Sequence, residues 1–374
     1  MNTYITLTVY GDVPQDVLET VEQQLKDMEA LWSVTDANSE VFAINHADGN
    51  PITISDETAD LLKFVLDMCK RTDGALDITV YPVLTAWGFT TRSYQIPSDE
   101  LLAQKMQYVG FDKVSLIDNT LTLMPGMEID FGAVAKGYAC DLITDNLKAN
   151  GVTSGIISLG GNVQAIGSKP DGSDFKISVQ HPDNGDSLGI LSLSDLSVVT
   201  SGAYERYFEG EDEKRYSHIL DTHTGRPAES GLKSVTIVGK ESRLCDALST
   251  SLFVMGLDKS AEYWKANGGF DMLLVTENGE INITEGLEER FELSKAYQDS
   301  PLQVIRSFLE EYDFSGKTVI PFCTTLGAGI GESEDNVKAH ANGAEVLKGV
   351  ALRTGRQNMS EDISKWLSDI GMAK

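Results

Sequence analysis

The sequence has few of the residues that build metal centres and disulfide frameworks. Its 374 residues include only four cysteines and five histidines. The cysteines, Cys69, Cys140, Cys245 and Cys323, are scattered without a CxxC pair, and the histidines lack metal-ligand spacing. These absences exclude an ordinary zinc site and a small disulfide-linked domain, and the cysteines are predicted to be buried free thiols.

Basic residues are also scarce, and long apolar runs are missing. The sequence has 30 Lys and Arg residues and 57 Asp and Glu residues, which gives a net charge of −27. Such a surface repels nucleic acid and anionic membranes, so neither is a predicted partner. No run reaches the roughly 18 apolar residues of a membrane helix, so no transmembrane segment is predicted.

The order of strand and helix patterns indicates the fold class. Helices are predicted at 56–71, 135–149, 243–255 and 258–266, and strand-like runs dominate from about 113 to 240. Individual strands are predicted at 113–117, 120–124, 155–158, 175–180, 188–193, 197–200, 216–220 and 233–238. Runs of strands broken by few helices favour an α+β domain with a mixed, largely antiparallel sheet.

The composition changes near residue 294, which predicts a second unit. Residues 294–300 are polar and are predicted to be a linker. A helix at 302–312, a strand at 317–323, a glycine-rich loop at 324–331 and a closing helix at about 360–370 are predicted to follow. This is about one and a half α/β units, too short to cover both faces of a parallel sheet.

A strand that ends in an acid precedes a small-residue turn and a lysine in the segment 127–139. Asp130 ends the strand, the turn contains Gly132 and Ala133, and Lys136 opens a helix. Small residues allow a ligand to approach the backbone closely, and lysine adds a positive charge there. The pattern predicts an anion site.

Asp246 and Thr250 lie four residues apart in a mostly apolar helix. That spacing puts both side chains on one face of the helix. Carboxylate and hydroxyl oxygens suit a hard cation such as Mg²⁺, whose remaining ligands can be phosphate oxygens. The alternative is a buried carboxylate that accepts hydrogen bonds from neighbouring backbone.

His218 lies in the segment 216–227, which ends in turn-forming residues. A histidine with the unperturbed pKa of about 6.5 is the usual acceptor of a proton from a hydroxyl nucleophile. The alternative is a histidine that is hydrogen-bonded within the sheet. His223 lies in the turn itself and is predicted to face solvent.

Several shorter patterns fit a flavin or a phosphate. The segments 158–162 and 200–206 each contain a strand end and a small-residue turn that could present backbone N–H groups. The segments 73–77 and 87–89 bracket an aromatic stretch whose rings could stack on adenine or isoalloxazine, and core packing is the alternative. The pair Ser39-Glu40 could cap a helix or contact a ligand.

Taken together and in this order, these blocks resemble the ApbE-type FAD:protein FMN transferases across roughly residues 2–292. The resemblance implies a T-fold-related ApbE-like domain at 1–293. The tail at 301–374 resembles the C-terminal part of a flavodoxin-like fold, a truncated α/β segment without the first strand and phosphate loop.

The resemblance also implies a reaction and a set of site residues. FAD is a substrate bound with Mg²⁺, a threonine or serine of an acceptor flavoprotein attacks the FMN phosphorus, and AMP leaves. The acceptor would carry a Ser/Thr-Gly-Ala-Thr-like motif. His218 would be the general base, and Asp246, Thr250 and the Ala133 carbonyl would bind Mg²⁺. The expected FAD-binding residues are Ser39, Glu40, Asp77, Lys136, Gly161, Asn162, Ser201, Gly202 and Arg206.

Two other activities and two locations stay open at this point. The same site with water as nucleophile would be an FAD pyrophosphatase, and the tail suggests a flavin-binding electron carrier. The chain begins in a strand-like segment without a basic leader, so the expectation is a cytoplasmic protein. The alternative is a membrane-anchored extracytoplasmic lipoprotein whose leader has been removed, since family members are often exported.

Overall fold

A computed structural model of the protein describes residues 3–297, 302–305, 315, 317–320, 322–325, 338, 343–353, 365, 366 and 368. It divides into two units, residues 1–304 and 305–374. The helices are α1 Gln15–Trp32, α2 Glu40–Asn45, α3 Asp56–Arg71, α4 Tyr81–Ala86, α5 Asp99–Met106, α6 Ala135–Ala149, α7 Ser242–Met255 and α8 Leu257–Asn267. None of the helices in these described ranges has the length and apolarity needed to cross a bilayer.

The strands in the first unit run from the N-terminus to the start of the tail. They are β1 Ile5–Val9, β2 Ile52–Thr53, β3 Ser115–Ile117, β4 Thr120–Thr122, β5 Gly155–Leu159, β6 Asn162–Ile166, β7 Phe175–Gln180, β8 Ser187–Leu193, β9 Ser197–Gly202, β10 Tyr207–Glu209, β11 Arg215–Ser217, β12 Leu220–Asp221, β13 Arg226–Pro227, β14 Leu232–Gly239, β15 Phe270–Thr276, β16 Ile281–Thr284, β17 Phe291–Leu293 and β18 Leu302–Ile305. The tail adds β19 Thr318–Val319, β20 Phe322–Thr325, β21 Glu345–Val346 and β22 Val350–Arg353.

An eight-stranded sheet in the order β1-β5-β6-β9-β14-β15-β16-β18 is the centre of the fold. Its neighbours from β1 to β16 pair antiparallel. Helix α7 packs on β9 and β14, and α6 packs against α7. A second sheet, β17-β8-β7, contributes Leu191 and Phe291 to an apolar cluster with Val238 and Leu273 of the large sheet. The α+β, largely antiparallel architecture confirms the predicted fold class.

Two strands of the large sheet, β15 and β6, show why some strands were missed. The predictions omitted β2, β6, β10, β13, β15, β16 and β17. Strand β15 is almost entirely buried and carries a continuous apolar run, so the alternation that marks a half-buried strand is absent. Strand β6 begins directly after the Gly160-Gly161 pair, which forms a two-residue turn with β5. Both glycines have positive φ, +52° and +96°, as a type I′ hairpin turn requires.

The single strand predicted at 216–220 is wrong, because the chain leaves the ladder at His218. Strand β11 ends at Ser217 and β12 begins at Leu220. Between them the backbone N–H of His218 donates to the carbonyl of Arg206 at 3.1 Å. This break matters for function, since it lets the histidine side chain leave the sheet.

The tail shows parallel pairing in the part that the structure describes. Strand β19 pairs with β21 and β20 with β22, both parallel, as in an α/β segment. The helix predicted at 302–312 is wrong at its start, because residues 302–305 form β18 at the edge of the large sheet, where pairing overrides local propensity. Residues 306–312, the loop residues 326–331 and most of 360–370 lie outside the described residues.

The predicted linker at 294–300 is structured in the four residues that are described. Lys295–Tyr297 forms a 3-10 turn. The Tyr297 ring stacks on His181 with ring centroids 4.4 Å apart, and its hydroxyl accepts a hydrogen bond from Asn184 at 2.7 Å. Tyr297 therefore fixes this segment, which still belongs to the first unit, to the loop of the β7–β8 hairpin.

Candidate active site

A cleft of about 730 Å³ lies in the first unit, within the size range of small-molecule sites. It is bordered by the start of α6, one face of α7, the ends of β6 and β9, and the break after β11. The structure brings most of the predicted site residues to this one place. Those that line it are Asp77, Ala133, Lys136, Asn162, Ser201, Gly202, Arg206, His218, Asp246 and Thr250.

The carboxylate of Asp246 is fixed by the contact between α6 and α7. Its Oδ2 accepts the backbone N–H of Gly137 at 2.8 Å, and its Oδ1 lies 3.8 Å from Lys136 Nζ. A Cβ on Gly137 would lie 2.4 Å from the carbonyl oxygen of Ser242, so only glycine allows this approach. Burial raises the pKa of Asp246, while Lys136 and the Gly137 N–H act in the opposite direction. The hydrogen bond from backbone that the alternative predicted is present, and the carboxylate also lines the cleft.

Thr250 and Ala133 add two further kinds of oxygen to the same cleft. Thr250 follows Asp246 by one turn of α7, and its hydroxyl lies 3.3 Å from Ser201 Oγ. Carboxylate, hydroxyl and backbone carbonyl form a donor set that fits Mg²⁺ chemically. Within the described ranges no three His, Cys, Asp or Glu side chains are grouped as a metal site. A cation in this cleft would therefore depend on the mixed oxygen set and on oxygens of the ligand.

The hydrogen bond and the burial of His218 indicate its tautomer and its protonation state. Its Nδ1 lies 3.0 Å from the carbonyl oxygen of Arg206. Because a carbonyl only accepts, Nδ1 must carry the hydrogen, and the neutral ring then has its lone pair on Nε2. Burial lowers the pKa of His218 to about 4. At neutral pH this ring is a proton acceptor, whereas His223 is exposed in the turn, as predicted.

A second carboxylate, that of Asp130, lies in the cleft with the basic side chains. Asp130 lines the cleft, and its Oδ1 accepts the backbone N–H of Gly132 at 3.0 Å. Burial raises the pKa of Asp130, and the charges of Lys136 and Arg206 oppose this shift. Lys136 and Arg206 thus bring two positive charges to the cleft.

Three predicted FAD-binding residues do not line the cleft. Ser39 caps α2 by accepting the N–H of Phe42 at 3.0 Å, and Glu40 accepts hydrogen bonds from the backbone and hydroxyl of Ser55. Gly161 is the second residue of the β5–β6 turn, whose other glycine is a lining residue. The FAD contacts of these three residues stay predictions.

Asp77 lines the cleft, but its carboxylate is already occupied. Its Oδ1 accepts both the backbone N–H and the hydroxyl of Thr79, and its Oδ2 accepts the N–H of Phe111 at 2.9 Å. Residues 32–35, at the end of α1, also line the cleft. No signal in the sequence pointed to residues 32–35, because apolar and small polar residues at a helix end are ordinary.

The fold and the cleft together define an α+β protein with a cleft lined by basic, acidic and hydroxyl side chains, and comparison with known proteins gives the family. Residues 1–274 match the ApbE family model, and residues 297–370 match a flavodoxin model. The chain is 32% identical over 305 residues to the FAD:protein FMN transferase of Klebsiella pneumoniae (strain 342), covering 80% of this chain and 94% of that protein. The Haemophilus influenzae enzyme of the same name is 34% identical over 274 residues, which is 70% of this chain and 79% of that one.

Solved structures agree with this assignment. The ApbE protein of Thermotoga maritima superposes with a TM-score of 0.73 at 33% identity, covering 77% of this chain and 96% of that one. The flavinyl transferase ApbE of Pseudomonas stutzeri gives a TM-score of 0.69 at 30% identity, covering 78% and 98%. The chain therefore belongs to the ApbE family, which confirms the predicted resemblance.

Proposed function

We propose that this protein is an FAD:protein FMN transferase that moves FMN from FAD to a threonine or serine hydroxyl of an acceptor flavoprotein. The observation that carries the proposal is the contact of His218 Nδ1 with the Arg206 carbonyl, which makes Nε2 the acceptor nitrogen of a ring that lines the same cleft as Lys136, Arg206 and Asp246. A base beside an anion site with a hard-oxygen set is what a hydroxyl attack on a pyrophosphate needs.

In the proposed displacement at phosphorus, different residues of the cleft bind the pyrophosphate and accept the proton. Lys136 and Arg206 would hold the pyrophosphate of FAD by charge. His218 Nε2 would take the proton of the acceptor hydroxyl as its oxygen attacks the FMN phosphorus. The bond from that phosphorus to the bridging oxygen breaks, and AMP leaves with that oxygen. The product is a phosphodiester between FMN and the acceptor, and the imidazolium returns its proton to solvent.

Asp246, Thr250 and the Ala133 carbonyl would hold a Mg²⁺ ion. When bound, Mg²⁺ would neutralise charge on the pyrophosphate as it reacts. The support for this part is the donor set itself, which pairs a charged oxygen with two neutral ones next to the basic residues.

The acceptor would be another protein that carries a Ser/Thr-Gly-Ala-Thr-like motif. The nearest match within this chain is 199–204. Its first four residues are the C-terminal part of β9, which lies in the middle of the large sheet. The Thr200 hydroxyl lies 2.8 Å from the Thr236 hydroxyl of the neighbouring strand. A threonine paired inside the sheet is a poor nucleophile for its own active site.

Incubation with FAD, Mg²⁺ and a protein that carries the acceptor motif tests the proposal. In-gel flavin fluorescence and intact mass would detect the covalent adduct, and chromatography would detect AMP. The expected result is an adduct that disappears with EDTA or when the acceptor threonine is changed to alanine. Release of FMN and AMP without an adduct would make the protein an FAD pyrophosphatase. No turnover, with redox-active FMN retained at stoichiometry, would make it a flavin-binding electron carrier.

A further inference from the structure

A short chain of hydroxyl groups connects the interior of α7 to the cleft. Ser249 is fully buried, and its Oγ donates to the carbonyl oxygen of Asp246 at 2.9 Å. The same Oγ lies 2.8 Å from the Oγ of Ser201 on β9. Ser201 Oγ in turn lies 3.3 Å from the hydroxyl of Thr250, which lines the cleft.

The direction of each hydrogen bond in this chain follows from counting hydrogens. A serine or threonine hydroxyl has one hydrogen to donate and two lone pairs. Ser249 gives its hydrogen to a carbonyl, which only accepts, so Ser201 must be the donor to Ser249. With that hydrogen used, Ser201 can only accept from Thr250. The hydrogen of Thr250 therefore points towards β9, and its lone pairs are left for the cleft.

We propose that Ser249 is a positioning residue that acts through Ser201 to present Thr250 as an oxygen donor to the cation. The inference rests on the proposed function, since it assumes that Thr250 binds Mg²⁺. Loss of the Ser249 hydroxyl would release the hydrogen of Ser201, which could then donate to Thr250. That reversal would occupy a lone pair of Thr250 and turn its hydrogen towards the cation.

The chain offers a matched control on the same helix. Ser251 is also fully buried, and its Oγ donates to the carbonyl of Ala247 at 2.7 Å, but it is not part of the hydroxyl chain. The variants S249A and S251A each remove one buried hydroxyl-to-carbonyl bond, and S249A alone also removes the acceptor of the Ser201 hydrogen. S251A therefore measures what the loss of a buried hydroxyl from α7 does to cation affinity when the hydroxyl chain is kept, and melting temperatures of both variants record any difference in stability.

Isothermal titration of the full chain with Mn²⁺, in the presence of saturating FAD and without acceptor, tests the inference. We expect S249A to raise the Mn²⁺ Kd by about 10-fold, the lower end of the range for partners of metal ligands. S251A should leave the Mn²⁺ Kd unchanged, and both variants should keep the FAD Kd measured in EDTA. If S249A does not fold, S201A removes the hydrogen-bond acceptor of Thr250 on β9 and should also raise the Mn²⁺ Kd, measured at an FAD concentration that saturates this variant because Ser201 is a predicted FAD-binding residue.

The outcomes separate the two proposals. A wild-type protein that binds Mn²⁺ with the same Kd as S249A or S201A would overturn the positioning role alone. A wild-type protein that binds no Mn²⁺ would overturn the metal assignment and the positioning role with it.

Discussion

The two sides of the cleft are held in place by different means. The helical wall, formed by Lys136, Gly137 and Asp246, is fixed by the packing of α6 on α7, and Asp246 is 4% exposed. The histidine wall, formed by Arg206 and His218, depends on one carbonyl that accepts both the backbone N–H and the Nδ1–H of the histidine. The packing of α6 on α7 thus positions the charges of Lys136 and Asp246, whereas a local break in a strand positions His218.

The largest expected effect comes from removing the base without moving the histidine wall. In H218N the side-chain amide can still donate to the Arg206 carbonyl, but no lone pair replaces Nε2. We expect single-turnover FMN transfer to fall on the order of 10²–10⁴-fold, with the FAD Kd unchanged. If FAD affinity falls as much as the rate, His218 is a binding residue and the division between the walls is wrong.

Neutralising the helical wall should have the next largest effect. D246N keeps an oxygen to accept the Gly137 N–H but loses the charge offered to a cation. We expect Mg²⁺-dependent AMP release to fall on the order of 10²–10³-fold, as for other losses of electrostatic stabilisation. Wild-type rates across a Mg²⁺ titration would contradict the metal assignment, and a circular dichroism spectrum would check that the fold is kept.

A smaller effect should come from crowding the helical wall. In G137A the new methyl group would meet Ser242, Arg243 and the Cβ of Asp246, all within 2.7 Å. We expect the free energy of unfolding to fall by about 1–3 kcal/mol, the usual cost of overpacking, with a loss of transfer activity as Asp246 shifts. Urea denaturation measures the first effect. Wild-type stability would show that α6 and α7 are not held as closely as we describe.

The comparison of the helical wall with the histidine wall also shows which parts of the site could be predicted from the sequence. The helical wall was predictable, because a small-residue turn, a lysine and an i, i+4 acid–threonine pair are local patterns on two helices that were placed correctly. The position of His218 was predicted only as a candidate. Its break from the strand depends on the Arg206 carbonyl, a contact between two loops that no periodicity encodes.

Local patterns also suggested ligand contacts where the fold needed hydrogen bonds. Ser39 and Glu40 begin α2, and both side chains are used at helix starts. The Gly160-Gly161 pair suggested a phosphate loop, but positive φ in a hairpin turn is a sufficient reason for two glycines. Caps, turns and ligand loops share the same residues, so the sequence alone does not separate them.

The protonation state of His218 is the central claim, and it can be measured directly. Long-range ¹⁵N–¹H NMR spectra of the protein labelled at its five histidines, with H218N to assign the signal, report tautomer and pKa together. A lowered pKa means that the ring stays neutral as the pH falls through 6.5 and gains its proton only near pH 4. We predict a neutral Nδ1–H tautomer at pH 7 with this low pKa in the ligand-free protein. An Nε2–H tautomer, or titration near pH 6.5, would contradict the account.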